Sequence, residues 1–151
     1  PYNMAHSQGY TELLFLDPVT KTRIDEFGSS NFIGIKGNTY VTPLSDSVLP
    51  SITNKSLRTI AEDLGMKVEI RPIPVEELAE FDEVNACGTA VVITPIRSID
   101  DKPLLEGSEV SRTYTMPSGS EYGKLSRALY DRIRSIQDGL VEDTHGWCVE
   151  L

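Results

Sequence analysis

Apolar positions along the chain fall into two periods, and the breaks between them mark out the elements. Leu57, Ile60, Ala61 and Leu64 recur at the i, i+3, i+4, i+7 spacing of one helix face, with Ile52 ahead of them and Gly65 behind as a stop. Tyr122, Leu125, Leu129, Ile133 and Ile136 draw a second helical stripe, closed by Gly139. Between and before these helices the pattern is that of strands. Tyr10–Leu16 is a short apolar run stopped by Asp17-Pro18 and reads as a buried strand. Phe32–Lys36 and Thr39–Thr42 flank Gly37-Asn38 and read as a hairpin, since glycine and asparagine tolerate the positive φ of a tight turn. Glu26 to Asn31 reads as a small-residue loop leading into it.

Lys67–Ile73 alternates Val68 and Ile70 with charged neighbours, as a half-buried strand does, and two prolines end it. Pro74 followed by VEELAEF predicts a short helix with Glu76 and Glu77 at its positive end. Glu83–Ala86 and Ala90–Ile96 bracket Cys87-Gly88-Thr89 as strand, tight turn, strand. Residues 99–106 read as a small excursion, and a tail with Trp147 closes the chain. Pro1–Gly9 reads as the end of a helix, which predicts a chain beginning inside something larger. Strands mixed with three helices indicate a single α/β or mixed α+β domain over residues 1–151.

Composition narrows the partners. A 39% hydrophobic, 25% charged chain of 151 residues is an ordinary globular domain. Its net charge of −9 disfavours nucleic acid and anionic membrane, leaving small molecules and proteins. No apolar run approaches the roughly 20 residues that span a bilayer, and no signal pattern opens the chain. The two cysteines, Cys87 and Cys148, form no ligand or disulfide framework and fit a reduced, cytoplasmic setting. No metal site is expected.

Three loops carry candidate chemistry. The polar loop SDSVLPS runs into the first helix at Ser51-Ile52-Thr53, where unpaired N–H groups and the helix dipole make an anion cup that needs no lysine. The plainer alternative is that Ser51 or Thr53 only caps the helix. Glu26 is a carboxylate with the plain alternative of a solvated side chain. The Gly88-Thr89-Ala90 turn has that of a structural turn. Cys87 reads as a small buried residue with no base beside it in sequence. His6 and His145 read as surface or capping residues.

The residues themselves add more than their types. IDEFGSSNF at 24–32, TPLSDSVLPSITNKSL at 42–57, ACGTAVVITPI at 86–96 and IQDGLVEDTHGW at 136–147 resemble, in order, the C-terminal half of branched-chain-amino-acid aminotransferases, pyridoxal-phosphate enzymes of fold type IV. The resemblance implies a mixed sheet or pseudo-barrel with flanking helices. It implies that Glu26 pairs with the pyridine nitrogen of pyridoxal 5′-phosphate, keeping the ring an electron sink. It implies further that Ile52 and Thr53 hold the phosphate, that Thr89 adds a phosphate contact, and that Thr89 and Ala90 receive the substrate carboxylate. The substrates implied are branched-chain amino acids and 2-oxo acids, with a homodimer as the working form.

Departures from the pattern are Ser51 where many relatives carry glycine, Asn54 where many carry arginine, and the absence of a second cysteine close to the Gly88-Thr89-Ala90 turn, where Val91 and Thr94 stand, so no thiol switch is expected. The family's cofactor-bearing lysine lies upstream of this chain. Lys21, Lys36 and Lys55 do not match it, so the expectation is a C-terminal cofactor-binding half that lacks its N-terminal domain and is inactive alone. The apolar surface facing that half should be exposed. Alternatives are a D-amino-acid transaminase, an aminodeoxychorismate lyase, or a non-catalytic binding module of the same fold.

Overall fold

The structure, a computed structural model, describes residues 1–149. In chain order it has α1 (Tyr2–Ser7), β1 (Leu14–Leu16), β2 (Ile24–Phe27), β3 (Asn31–Lys36), β4 (Thr39–Pro43), α2 (Ile52–Asp63), β5 (Lys67–Arg71), a 3-10 helix (Val75–Glu80), β6 (Glu83–Gly88), β7 (Val92–Pro95), β8 (Ser98–Asp101), β9 (Arg112–Thr115) and α3 (Lys124–Gln137). The helix-then-strand punctuation follows the glycines: Gly37, Gly65 and Gly139 all take positive φ at the ends of their elements.

Seven strands form one mixed sheet in the order β1-β2-β3-β4-β5, with β6 and β7 branching from β3. The β4–β5 pair is parallel, because α2 crosses between them, and the other pairs are antiparallel. The sheet forks because β2 meets β3 only at Glu26↔Asn31, while β6 runs beside β3 from Asn31↔Cys87 to Ile35↔Glu83. Two cores result. Leu57, Ile60 and Ala61 of α2 and Leu129, Ile133 and Ile136 of α3 pack with Ile33, Ile35, Tyr40 and Cys87 on one face. On the other, Phe27 stacks on Phe32, Phe81 meets Phe32 edge-on, and Ile73, Leu78 and Tyr114 pack in the same cluster.

Several expectations change. Glu26 lies within β2 and not in a loop, because Ile24 and Phe27 are buried on either side of it and the Ile24 N–H bonds the Ile73 carbonyl. The run 10–16 yields only a three-residue strand, half-buried instead of buried, with Phe15 exposed. Its first half is drawn away by side-chain bonds, Tyr10 Oη donating to Asp100 and the Leu13 N–H to Glu12. The excursion at 99–106 is one arm of a separate two-stranded ribbon, β8–β9. The helix after Pro74 is of the 3-10 kind.

Buried polar groups fix the two helices to the sheet. Asn54, inside the first turn of α2, accepts from Tyr40 Oη at 2.7 Å and donates to Thr42 Oγ1 at 2.9 Å. Glu83 on β6 caps α3, accepting from the Leu125 and Ser126 N–H groups at 3.1 and 2.9 Å. Gly123, which offers α3 no side-chain cap, is required there because any Cβ would overlap the Glu83 carboxylate.

Candidate functional site

At the start of α2 the capping reading of Ser51 holds and two backbone donors stay open. Ser51 is the N-cap, its Oγ accepting from the Asn54 N–H at 3.1 Å. That uses one of the open N–H groups at the helix start. Those of Ile52 and Thr53 find no acceptor among the described residues, so the cup keeps two backbone donors with the helix dipole behind them. Ser51 sits at φ −101°, a region open to any residue, so glycine is not required here. Asn54 points inward to Tyr40 and Thr42, so its difference from arginine leaves the two donors in place. Thr53 is buried, and Ile52 is 84% exposed beside it.

Glu26 is half-buried and is held by Asn31, its cross-strand partner, whose Nδ2 donates to Glu26 Oε2 at 3.0 Å. The same Nδ2 donates to the Leu49 carbonyl at 3.3 Å, in the loop three residues ahead of Ile52. Glu26 and the loop that leads into α2 therefore meet on one amide. Across the sheet Glu26, Asn31 and Cys87 stand in one row, which places the next residue, Gly88, beside Ser30: a Cβ on Gly88 would lie 3.8 Å from that of Ser30. The Glu26 strand, the cup and the 88–90 turn thus share one end of the sheet.

Thr89 and Ala90 are exposed, and their N–H groups bond nothing among the described residues. The turn they form is closed by Val92, a buried β-branched residue at φ 63° with the Ile93 N–H bonded to the Val91 carbonyl at 2.8 Å. This is a strained γ-turn. It is held from outside by Tyr122 Oη, which donates to the Ile93 carbonyl at 2.9 Å, and by the packing of Val92 in the α2–α3 core. Thr89 and Ala90 also edge a cleft of about 1060 Å³ that runs past Tyr10–Leu16 and residues 94–104. Glu26, Ile52 and Thr53 do not line that cleft. Leu49 and Ile52, near the start of α2, are 73% and 84% exposed, and Val91, in the 88–92 turn, is 54% exposed.

Cys87 is buried and its thiol is pushed up to about 12 by that burial, the opposite of an activated nucleophile. His145 bonds Asp63 at the end of α2 at 2.6 Å and stacks on Trp147, so tail and helix are packed together. Asn31, Glu83 and Val92 escape a sequence reading. The signal for the first two is a polar side chain at the edge of an apolar strand run; Val92 carries none.

The pattern of donors fits a ligand with a phosphate and a ring nitrogen. Two unpaired N–H groups lie at a helix start, and a carboxylate nearby has one oxygen engaged and Oε1 without a partner among the described residues. Comparison with known proteins points the same way. A Helicobacter pylori protein named branched-chain-amino-acid aminotransferase is 40% identical over 152 residues, covering 99% of this chain and 42% of its own length. The solved Escherichia coli branched-chain amino acid aminotransferase matches with TM-score 0.80 at 28% identity, over 96% of this chain and 44% of that one. That from Thermobaculum terrenum in its PLP-form matches with TM-score 0.76 at 31% identity, over 91% and 41%. The chain thus spans less than half the length of these relatives. The family model for amino-transferase class IV matches residues 3–99, so this chain belongs to the class IV amino-transferases.

Proposed function

We propose that the chain is the C-terminal, cofactor-binding half of a pyridoxal-phosphate transaminase that moves an amino group between leucine, isoleucine or valine and a 2-oxo acid such as 2-oxoglutarate. The observation that carries this is the shared amide of Asn31, which sets the Glu26 carboxylate and the open helix start of α2 on one end of the sheet. The names and similarity of the relatives support the branched-chain choice.

In this reading the Ile52 and Thr53 N–H groups hold the phosphate dianion without a side-chain cation, aided by the dipole of α2. Thr53 and Thr89 offer hydroxyls to the same group. Glu26 Oε1 would accept the pyridine N–H and so keep that proton on the ring. The bound cofactor supplies an electron sink for the amino acid's α-carbon. Thr89 and Ala90 present their backbone N–H groups to the substrate carboxylate, pre-aimed by the clamped turn at Val92. The α-proton is moved by a lysine that the reading assigns to the N-terminal half.

The exposed apolar side chains of Leu49, Ile52 and Val91 are those that the N-terminal half, or a second subunit of a homodimer, would cover. The chain's match to less than half the length of its relatives supports a two-domain enzyme over a free-standing binding module. A cytoplasmic location belongs to the reading, on the strength of two free cysteines.

The test is the complete gene product assayed with leucine, isoleucine, valine, D-alanine and aminodeoxychorismate. Transfer from the three branched-chain substrates to 2-oxoglutarate is expected. Turnover of D-alanine or aminodeoxychorismate instead would move the chain to another branch of the family. A gene beginning at Pro1 with no upstream lysine would defeat the two-domain reading.

A further inference from the structure

We propose that Asn31 is a positioning residue that locks Glu26 and the phosphate cup into one fixed relation, so that a ligand bearing both a ring-nitrogen cation and a phosphate is gripped at both ends. The inference rests on the cofactor site described above.

Asn31 is 5% exposed, and the orientation of its amide is decided by chemistry. Both near neighbours, Glu26 Oε2 and the Leu49 carbonyl, are acceptors, and only the NH2 end satisfies them; the reverse orientation would face oxygen with oxygen twice. Each of the two amide protons therefore serves a different wall of the site. The backbone of Asn31 pairs with Glu26 and Cys87 whatever its side chain, so the strand does not need the amide.

A role in the fold alone also fits poorly. Asn31 Oδ1 is buried and unpartnered among the described residues, a cost that an apolar side chain of the same shape would avoid. The two bonds run to a strand carboxylate and to a loop carbonyl that otherwise have no connection to each other among the described hydrogen bonds. With Oε2 occupied, Oε1 is the carboxylate oxygen left for a ligand. With Leu49 tied back, the loop that delivers Ile52 and Thr53 is held at a set distance from it.

The experiment uses the complete gene product with pyridoxamine 5′-phosphate, which forms no bond to lysine, and with inorganic phosphate as a second probe. Asn31→Leu, nearly the same shape, and Asn31→Ala are compared with the parent protein by equilibrium binding. The protonation of the bound ring nitrogen is followed against pH by 15N NMR. Both variants should bind pyridoxamine 5′-phosphate roughly tenfold more weakly, as expected for losing a hydrogen bond to a charged group, with a smaller loss for inorganic phosphate. The bound ring nitrogen should lose its proton at a lower pH, a change that general loosening of the fold does not produce.

Unchanged affinity and an unchanged nitrogen titration in a folded variant would overturn the inference alone. Equal losses for both probes with an unchanged titration would make Asn31 a loop anchor only, and so would overturn it too. Failure of both variants to fold would make Asn31 a folding residue and end the proposal. No saturable binding of pyridoxamine 5′-phosphate by the parent protein would instead overturn the cofactor site, and the inference with it.

Discussion

Replacing Glu83 tests how α3 is held to the sheet. Its carboxylate is buried, 6% exposed, and its two oxygens each accept one N–H from the first turn of α3, at 3.1 Å from Leu125 and 2.9 Å from Ser126. Ser126 is fully buried, so in Glu83→Ala water does not readily replace the lost acceptors. Hydrogen bonds to a charged group are worth about 1.5–3 kcal/mol each, and an anion at a partly buried helix start adds up to about 2 kcal/mol. Relief of the desolvation of the carboxylate offsets part of this, which leaves a net loss of about 3–5 kcal/mol. For a chain of this size that lowers Tm by roughly 10 °C. Glu83→Gln keeps one acceptor but turns an NH2 toward an N–H, for a loss of about 2 kcal/mol. Urea unfolding followed by circular dichroism measures both. The ordering Ala worse than Gln worse than parent is expected, and losses below about 0.5 kcal/mol in both variants would refute the capping argument.

Gly34→Ala should be severely destabilising, by about 3 kcal/mol, because the new Cβ would stand 2.5 Å from the buried Phe81 ring that packs on β3; thermal melting checks it. Ser51→Ala removes the side-chain cap of α2 and should cost about 1 kcal/mol in urea unfolding while leaving the Ile52 and Thr53 donors in place, so inorganic phosphate should bind it as it binds the parent. Stability should fall at high pH. The Cys87 thiol is held up to about 12 in the fold against 9.0 for a free thiol, so the unfolded chain gives up the proton first. Stability is intact below about pH 9 and drops by about 2 kcal/mol near pH 10.5, and Cys87→Ala should flatten part of that slope. The buried Tyr40 phenol, also raised by burial, adds to the slope with the same sign. In the native protein iodoacetamide should label Cys148 and spare Cys87, as read by mass spectrometry.

The helices and most strands were legible because their signals are local. Leu57, Ile60 and Ala61, and Leu129, Ile133 and Ile136, show their stripes in sequence and are buried on those stripes. β9 was missed because Arg112–Thr115 buries only Tyr114 and owes its strand to pairing with β8, a partner a local reading does not see. The glycine and serines after Glu26 suggest a loop, yet the burial of Ile24 and Phe27 extends the strand across it. The anion cup was legible as a helix start. Its meeting with Glu26 was not, since that depends on one side chain, Asn31, reaching two segments far apart in sequence. The strain at Val92 is likewise set by its surroundings, Tyr122 and the core, and a valine in a strand run carries no sign of it.

The most direct test of the account is a crystal structure of the complete gene product with pyridoxamine 5′-phosphate. The account predicts the ring nitrogen within hydrogen-bond distance of Glu26 and the phosphate on the backbone N–H groups of Ile52 and Thr53. A phosphate seated away from the start of α2, or a ring lying in the cleft beside Tyr10–Leu16 with Glu26 unengaged, would contradict it.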